Sequence, residues 1–224
     1  MSDREIGLFP LAAVLVPGEL MPLHIFEERY KSLVADCQKD DGEFALLYSD
    51  SDGARDLGTT ARVVEVLETF DDGRMNIVIR GGEVIRVVGL TRGRAYLTGT
   101  VQPAEDDPRA GDEATSALDL YRRIAEATGQ DPDPEVGPGA PSGLSYAIAA
   151  RVDFPAPEKQ RILEERSEHG RLMVIVELLA RGLENLATAA RIAARAQTNG
   201  KVSPPADGPP PADDPPAVDP PAEG

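Results

Sequence analysis

The chain has 224 residues, with 23 Lys and Arg against 39 Asp and Glu and a formal net charge of −16. That length can bury a self-sufficient core, while the charge repels phosphate backbones and anionic headgroups, so neither nucleic acid nor a membrane surface is an expected partner. Cys37 is the single cysteine, which excludes an internal disulfide framework, and no CxxC or Cys/His cluster exists to hold zinc or another metal.

The first apolar run, Leu8 to Val16, is broken by Pro10 and closed by Pro17-Gly18, and Asp3 and Glu5 outweigh Arg4 before it. A secretory leader needs a net-positive start, and no run approaches the ~18 apolar residues of a membrane span, so a cytoplasmic location is expected. Runs of β-branched and apolar residues recur at Ile6–Phe9, Leu11–Val16, Phe44–Tyr48, Thr60–Phe70, Met75–Arg80, Val84–Thr91 and Ala95–Val101, punctuated by Gly, Asp and Pro. Asp71-Asp72-Gly73-Arg74 has the composition of a tight hairpin turn, with Gly73 supplying the positive φ. Met75, Ile77 and Ile79 give the strand after it one apolar face.

Between the first strands and Phe44 the spacing predicts a helix from Ile25 to about Gln38, with Phe26, Tyr30, Leu33, Val34 and Cys37 as its buried stripe. Many short strands joined mostly by hairpins, with one packed helix, predict a small β-barrel that closes to remove its edges. From Asp112 the period changes to about 3.6. Asp112 is positioned to cap a helix that Gly129 stops, burying Leu118, Tyr121, Ile124 and Ala125. A Pro/Gly/Asp loop to Gly143, a short helix from Leu144 to Val152 and a second from Glu158 to Arg166 follow. Ser167 then caps a long helix to about Gln197, with Leu172, Val176, Leu179, Leu183, Leu186, Ala190 and Ala193 at steps of three and four. At 1.5 Å per residue it reaches roughly 45 Å, so its alanine-rich last turns are expected to project or to meet another chain. Residues 201–224 hold nine prolines and five acids, with Val202 and Val218 as the only larger apolar side chains. Such a segment cannot offset its ordering entropy and is expected to be a disordered, dispensable tail. The expected organisation is thus a barrel lobe over residues 1–108, a helical lobe over 109–200 and a tail over 201–224.

The chemical signals are mostly absences. Gly200-Lys201 is the sole Gly-Lys pair and lacks the glycine spacing of a phosphate loop, and no GxSxG elbow occurs. A Ser-Lys dyad could draw only on Lys31, Lys39, Lys159 and Lys201, all in segments that read as exposed. His24 at the first helix entry reads as a structural residue, with a binding role as the alternative, and His169 as solvated. Cys37 on an apolar stripe reads as a small hydrophobe. The acid runs fall in predicted turns, and the arginines are spread evenly. No catalytic, cofactor or metal residue is assigned.

Leu8-Phe9-Pro10-Leu11, Val14-Leu15-Val16-Pro17-Gly18 and Met21-Pro22-Leu23-His24-Ile25-Phe26-Glu27-Glu28-Arg29-Tyr30, read together, resemble the opening of the Lon protease N-terminal substrate-binding domain. The resemblance continues through Gly58-Thr59-Thr60-Ala61, Asp72-Gly73-Arg74 and Asn76-Ile77-Val78-Ile79-Arg80-Gly81, then resumes at Pro157–Glu164 and Arg171-Leu172, covering about residues 5–185. It implies an α+β fold: a PUA-like small β-barrel with one packed helix, followed by an α-helical bundle ending in a long helix. It also implies a module that engages proteins rather than cutting them, since neither the ATPase nor the Ser-Lys peptidase signature of Lon occurs in these residues. The expected partner is an unfolded segment, a degron or a partner protein, within a protease or chaperone system. The alternative is a small-ligand binder or enzyme using the cleft between the two lobes. Leu23, His24, Glu27, Glu28, Arg29 and Lys31, where apolar, charged and proline-held residues converge, are the expected peptide-binding wall, with Glu27–Lys31 as a surface ion pair and the helical half as the facing wall.

Overall fold

The alternating runs of the first half form six strands of one sheet. In the computed structural model, which describes residues 3–107, 114–134 and 143–199, they are β1 (Arg4–Leu11), β2 (Leu20–Ile25), β3 (Phe44–Asp50), β4 (Gly53–Thr69), β5 (Met75–Thr91) and β6 (Thr98–Pro103). Helix α1 (Glu28–Asp40) separates β2 from β3. The strand order is β2-β5-β4-β3-β1-β6, and β6 returns to pair with β5. Five strands therefore form a ring, with β2 added outside it. β1 and β3 run parallel, which a crossover carrying α1 allows, and the other pairs are antiparallel.

Closure depends on the length of β5. Its first half pairs with β2 from Met75 to Arg80, and its second half pairs with β6 from Ile85 to Thr91. The two strands expected at Met75–Arg80 and Val84–Thr91 are therefore one, and Gly81-Gly82 marks where its partner changes. A Cβ on Gly81 would lie 2.1 Å from the Val16 carbonyl oxygen, so only glycine lets the β1–β2 loop cross here. The same loop corrects the strand expected over Leu11–Val16. Val14, Leu15 and Val16 are apolar because a buried loop carries them, and Thr59 Oγ1 (2.6 Å to the Leu15 carbonyl) and Glu19 (3.0 Å from the Val16 N–H) satisfy its backbone. The turn after β4 is as expected: Gly73 has φ +77°, and Ile77 and Ile79 are fully buried.

Helix α1 starts three residues later than the spacing predicts, because Ile25 completes the β2 ladder opposite Met75. Phe26 then sits in the link and is 59% exposed, so it does not fill the seam between sheet and helix. Tyr30 does, stacked on Phe9 at 3.9 Å, with Leu33 and Val34 beside it.

The second half folds as α2 (Ala114–Thr128), α3 (Leu144–Ala149), α4 (Ala156–Glu164) and α5 (Glu168–Asn199). Gly129, at φ +71°, ends α2, and the Ser167 hydroxyl accepts the Gly170 N–H at 3.0 Å as the α5 cap. Leu118 is only partly buried, whereas Tyr121, Ile124 and Ala125 are core. Along α5 the buried side chains are Leu172, Val174, Ile175, Leu178 and Leu179, with Val176 and Leu183 partly buried. The predicted stripe stops there, since Leu186 is 41% exposed. Val14, Val16, Tyr48, Leu57 and Val84 share one apolar cluster with Tyr121, Ile148, Leu163 and Ile175, so sheet and helices are packed together within the compact unit of residues 1–184. A second unit begins at Asn185; its described part continues α5 with side chains exposed as far as Arg195. Asp112, most of the loop before Gly143 and the expected tail at 201–224 lie outside the described residues.

Candidate peptide-binding surface

β2 is a margin of the sheet, which is why Pro22, lacking an N–H, is tolerated within it. Leu23 and His24 pair with Ile77 and Asn76 of β5, so both are held by a ladder rather than by a loop. Asn76 Nδ2 donates to Glu68 at 3.2 Å, which turns its Oδ1 to His24 Nδ1 at 2.7 Å, and that nitrogen is therefore the donor. The imidazole lies 6.0 Å from the Phe26 ring and 6.1 Å from Phe70, and the Arg74 guanidinium stands 5.3 Å from the Phe70 ring. His24 and Phe26 are exposed on this end of the molecule, with Leu23 half-buried beneath them.

The expected wall residues are together, with different partners. Glu27 precedes α1 and pairs with Arg29 at 2.8 Å, while Glu28, the first helical residue, pairs with Lys31 at 2.8 Å. The Glu27–Lys31 pair is therefore replaced, because Glu27 lies outside the helical turn that would bring it over Lys31. Lys31 Nζ also donates to the Asp72 carbonyl at 2.9 Å, tying α1 to the β4–β5 turn. The element facing these residues is that turn, with Phe70 and Asp72, and not the helical half, which packs on Val14, Val16, Tyr48, Leu57 and Val84. Phe70 and Arg74 were missed because they read as hairpin ends. Their signal was an aromatic next to a turn whose strands must register with β2.

The cleft between sheet and helices is a cavity of about 210 Å³ bordered by Pro17, Val84, Pro103, Tyr146 and Arg166. Its arginine is engaged by its neighbours. Arg166 binds Asp106 at 2.5 Å and the carbonyls of Ala104 and Leu163, while Arg171, 1% exposed, binds Asp106, Glu168 and Ser145. The Ser145 hydroxyl donates to Glu168 at 2.5 Å, but Ser145 is fully buried, so this pair cannot reach a substrate. Burial pushes the Tyr146 phenol above its usual range, against the opposing charges of Arg171 and Arg166, and its oxygen has no hydrogen-bond partner among the described residues. Burial also pushes the Cys37 thiol up to about 11, which keeps it protonated near neutral pH. Among the described residues no three His, Cys, Asp or Glu side chains are grouped to hold a metal ion, and no helix is long and apolar enough to cross a membrane.

Residues 5–181 match the family model described as the ATP-dependent protease La (LON) substrate-binding domain. The chain belongs to that family. It is 29% identical over 201 residues to Lon protease 2 of Myxococcus xanthus, covering 82% of this chain and 24% of that protein. A similar match, 29% over 204 residues, is found with the Lon protease of Anaeromyxobacter dehalogenans, so the chain spans about a quarter of the length of these relatives. Among solved structures, the Lon N-terminal domain protein from Xanthomonas campestris superposes with a TM-score of 0.57 at 25% identity, covering 79% of this chain and 98% of that one. The N-terminal domain of Mycobacterium avium complex Lon protease, at 16% identity and a TM-score of 0.59, shares the fold. The matched region takes in both the sheet and the helices, and it is a substrate-binding domain rather than a catalytic one.

Proposed function

We propose that this domain is a non-enzymatic protein-binding module that captures unfolded segments or degrons, serving a protease or chaperone system. Its capture surface comprises Leu23, His24, Glu27, Glu28, Arg29 and Lys31 together with Phe26 and Phe70. The observation that carries this reading is the His24 ring, held by the β2–β5 ladder, with the exposed Phe26 ring on one side, Phe70 on another and charges around them. A rigid apolar centre supplies affinity, and the charged rim sets register and excludes wrong partners. The engagement of Arg166 and Arg171 by Asp106 and Glu168, and the burial of Ser145, support the absence of chemistry.

The test measures binding of a permanently unfolded reporter protein before and after Phe26→Ser with Phe70→Ser, and separately after Glu28→Lys with Arg29→Glu. Circular dichroism checks that each variant is folded. At least a tenfold loss is expected from the aromatic pair and a smaller, salt-sensitive loss from the charge pair. Unchanged affinity in folded variants refutes this surface. One observation favours a second reading, small-ligand binding in the cleft: Tyr146, which lines it, has a buried oxygen without a hydrogen-bond partner among the described residues.

A further inference from the structure

The sheet has a second margin. β3 last pairs with β4 at Phe44–Ala61, whereas β4 continues to Thr69, so residues 62–69 pair with β5 on one side and with no described strand on the other. A groove of about 290 Å³ runs along this margin between the C-terminal end of α1, at Cys37, Gln38 and Asp41, and β4 from Arg62 to Val66. The ladder to β5 shifts between Val63 and Glu65 and again between Val66 and Glu68. Each shift inserts an extra residue, and the inserted Val64 and Leu67 are 45% and 56% exposed, with Val66 at 40%. β2, the opposite margin, is blunted by Pro22, but no proline interrupts β4, so its amides remain able to pair.

The charge beside this edge is negative. Arg62 is shared between Asp41 at 3.1 Å and Glu43 at 3.4 Å, and Glu65 has no cation beside it among the described residues. A second copy would bring the same acids against this edge, which disfavours self-pairing. We infer that the β4 margin takes an extended, proline-free segment of another polypeptide as an added strand, one in which Lys or Arg alternates with apolar residues. Backbone pairing holds the segment, Val64, Val66 and Leu67 receive its apolar side chains, and Glu65 and Asp41 receive its cations. The bulges limit the added strand to a short stretch, on the order of five residues. This surface is separate from that of His24, which lies on β2 across β5, and its mode of recognition is backbone pairing rather than aromatic contact.

The test uses a blocked synthetic peptide of about eight residues alternating Val and Lys, a counterpart N-methylated at alternate backbone amides, and a third with Glu in place of Lys. Titration calorimetry gives affinity, and amide hydrogen exchange of the full chain locates the contact. The unmodified peptide is expected to slow exchange over residues 62–67, with the N-methylated and Glu peptides at least tenfold weaker. Glu65→Lys is expected to weaken binding at least threefold at low salt, and Val64→Lys with Val66→Lys to abolish it while the circular dichroism spectrum is unchanged. Phe26→Ser with Phe70→Ser is expected to leave this peptide's affinity unaltered. Equal binding of the N-methylated peptide, protection confined to His24, Phe26 and Phe70, or no binding of the unmodified peptide overturns the inference, whether or not the unfolded reporter still binds at the aromatic surface.

Discussion

Lys159 on α4 reaches Glu19 in the β1–β2 loop at 2.6 Å, and the two side chains are only 11% and 10% exposed. The other Glu19 oxygen accepts the Val16 N–H at 3.0 Å, so this carboxylate fastens the loop to itself and the helical half to the sheet. Lys159→Met retains the apolar stem but leaves Glu19 buried with one hydrogen bond and no counter-charge. Removing one partner of a buried pair costs about 3–5 kcal/mol, whereas the intact pair is worth little beyond an apolar replacement. Because each side chain keeps about a tenth of its surface in water, the lower end applies, about 3 kcal/mol. For a chain of this size that is a fall of roughly 6–12 °C in Tm. The double variant Glu19→Gln, Lys159→Met restores neutrality and is expected to recover at least half of the loss. Urea unfolding followed by circular dichroism measures all four corners of the cycle; the chain has no tryptophan, so tyrosine emission is the second probe. A loss under about 1 kcal/mol for Lys159→Met, or a double variant no better than the single, would refute the reasoning.

Gly81→Ala should destabilise by about 1–3 kcal/mol, because its Cβ meets the Val16 carbonyl, while Gly89→Ala, with open space around it, should stay within about 0.5 kcal/mol; urea midpoints separate the two. Cys37, with its thiol pushed up to about 11 by burial, should react with a disulfide reagent at pH 8 roughly a hundredfold more slowly than a free cysteine, and a rate equal to the free thiol would contradict its described burial. Tyr146→Phe removes a buried hydroxyl that has no partner, so stability at pH 7 should change by less than about 1 kcal/mol. The phenol's raised pKa means the unfolded chain ionises first; its contribution is complete below about pH 10 and is lost as pH rises through the folded value, so the variant should lose stability less steeply above pH 10.

Local pattern carried much of this architecture. The Asp71–Arg74 turn, the alternation through Met75, Ile77 and Ile79, the Tyr30, Leu33 and Val34 stripe and the Ser167 cap are all set by neighbours within a few residues, where turn chemistry and periodicity act directly. The motifs between Leu8 and Tyr30 reported the family for the same reason: prolines and glycines fix local backbone angles. The candidate surface was half legible. Leu23, His24 and the α1 charges are contiguous in sequence, but Phe70 and Arg74 join them only because β2 registers against β5.

What the tertiary structure alone decided was every feature that depends on which segments meet across long loops. An apolar run is equally compatible with a strand and with a buried loop, and Val14–Val16 became a loop because Thr59, Glu19 and Gly81 receive its backbone. Phe26 was displaced from the core by the need of Ile25 to finish a ladder, and Glu27 lost Lys31 when the helix began one residue after it. The open β4 margin has no sequence signature, since it exists only because β3 begins at Phe44, opposite Ala61, while β4 runs on to Thr69. Periodicity states which face a residue prefers; only the lengths and pairings of distant strands determine whether anything is there to cover it.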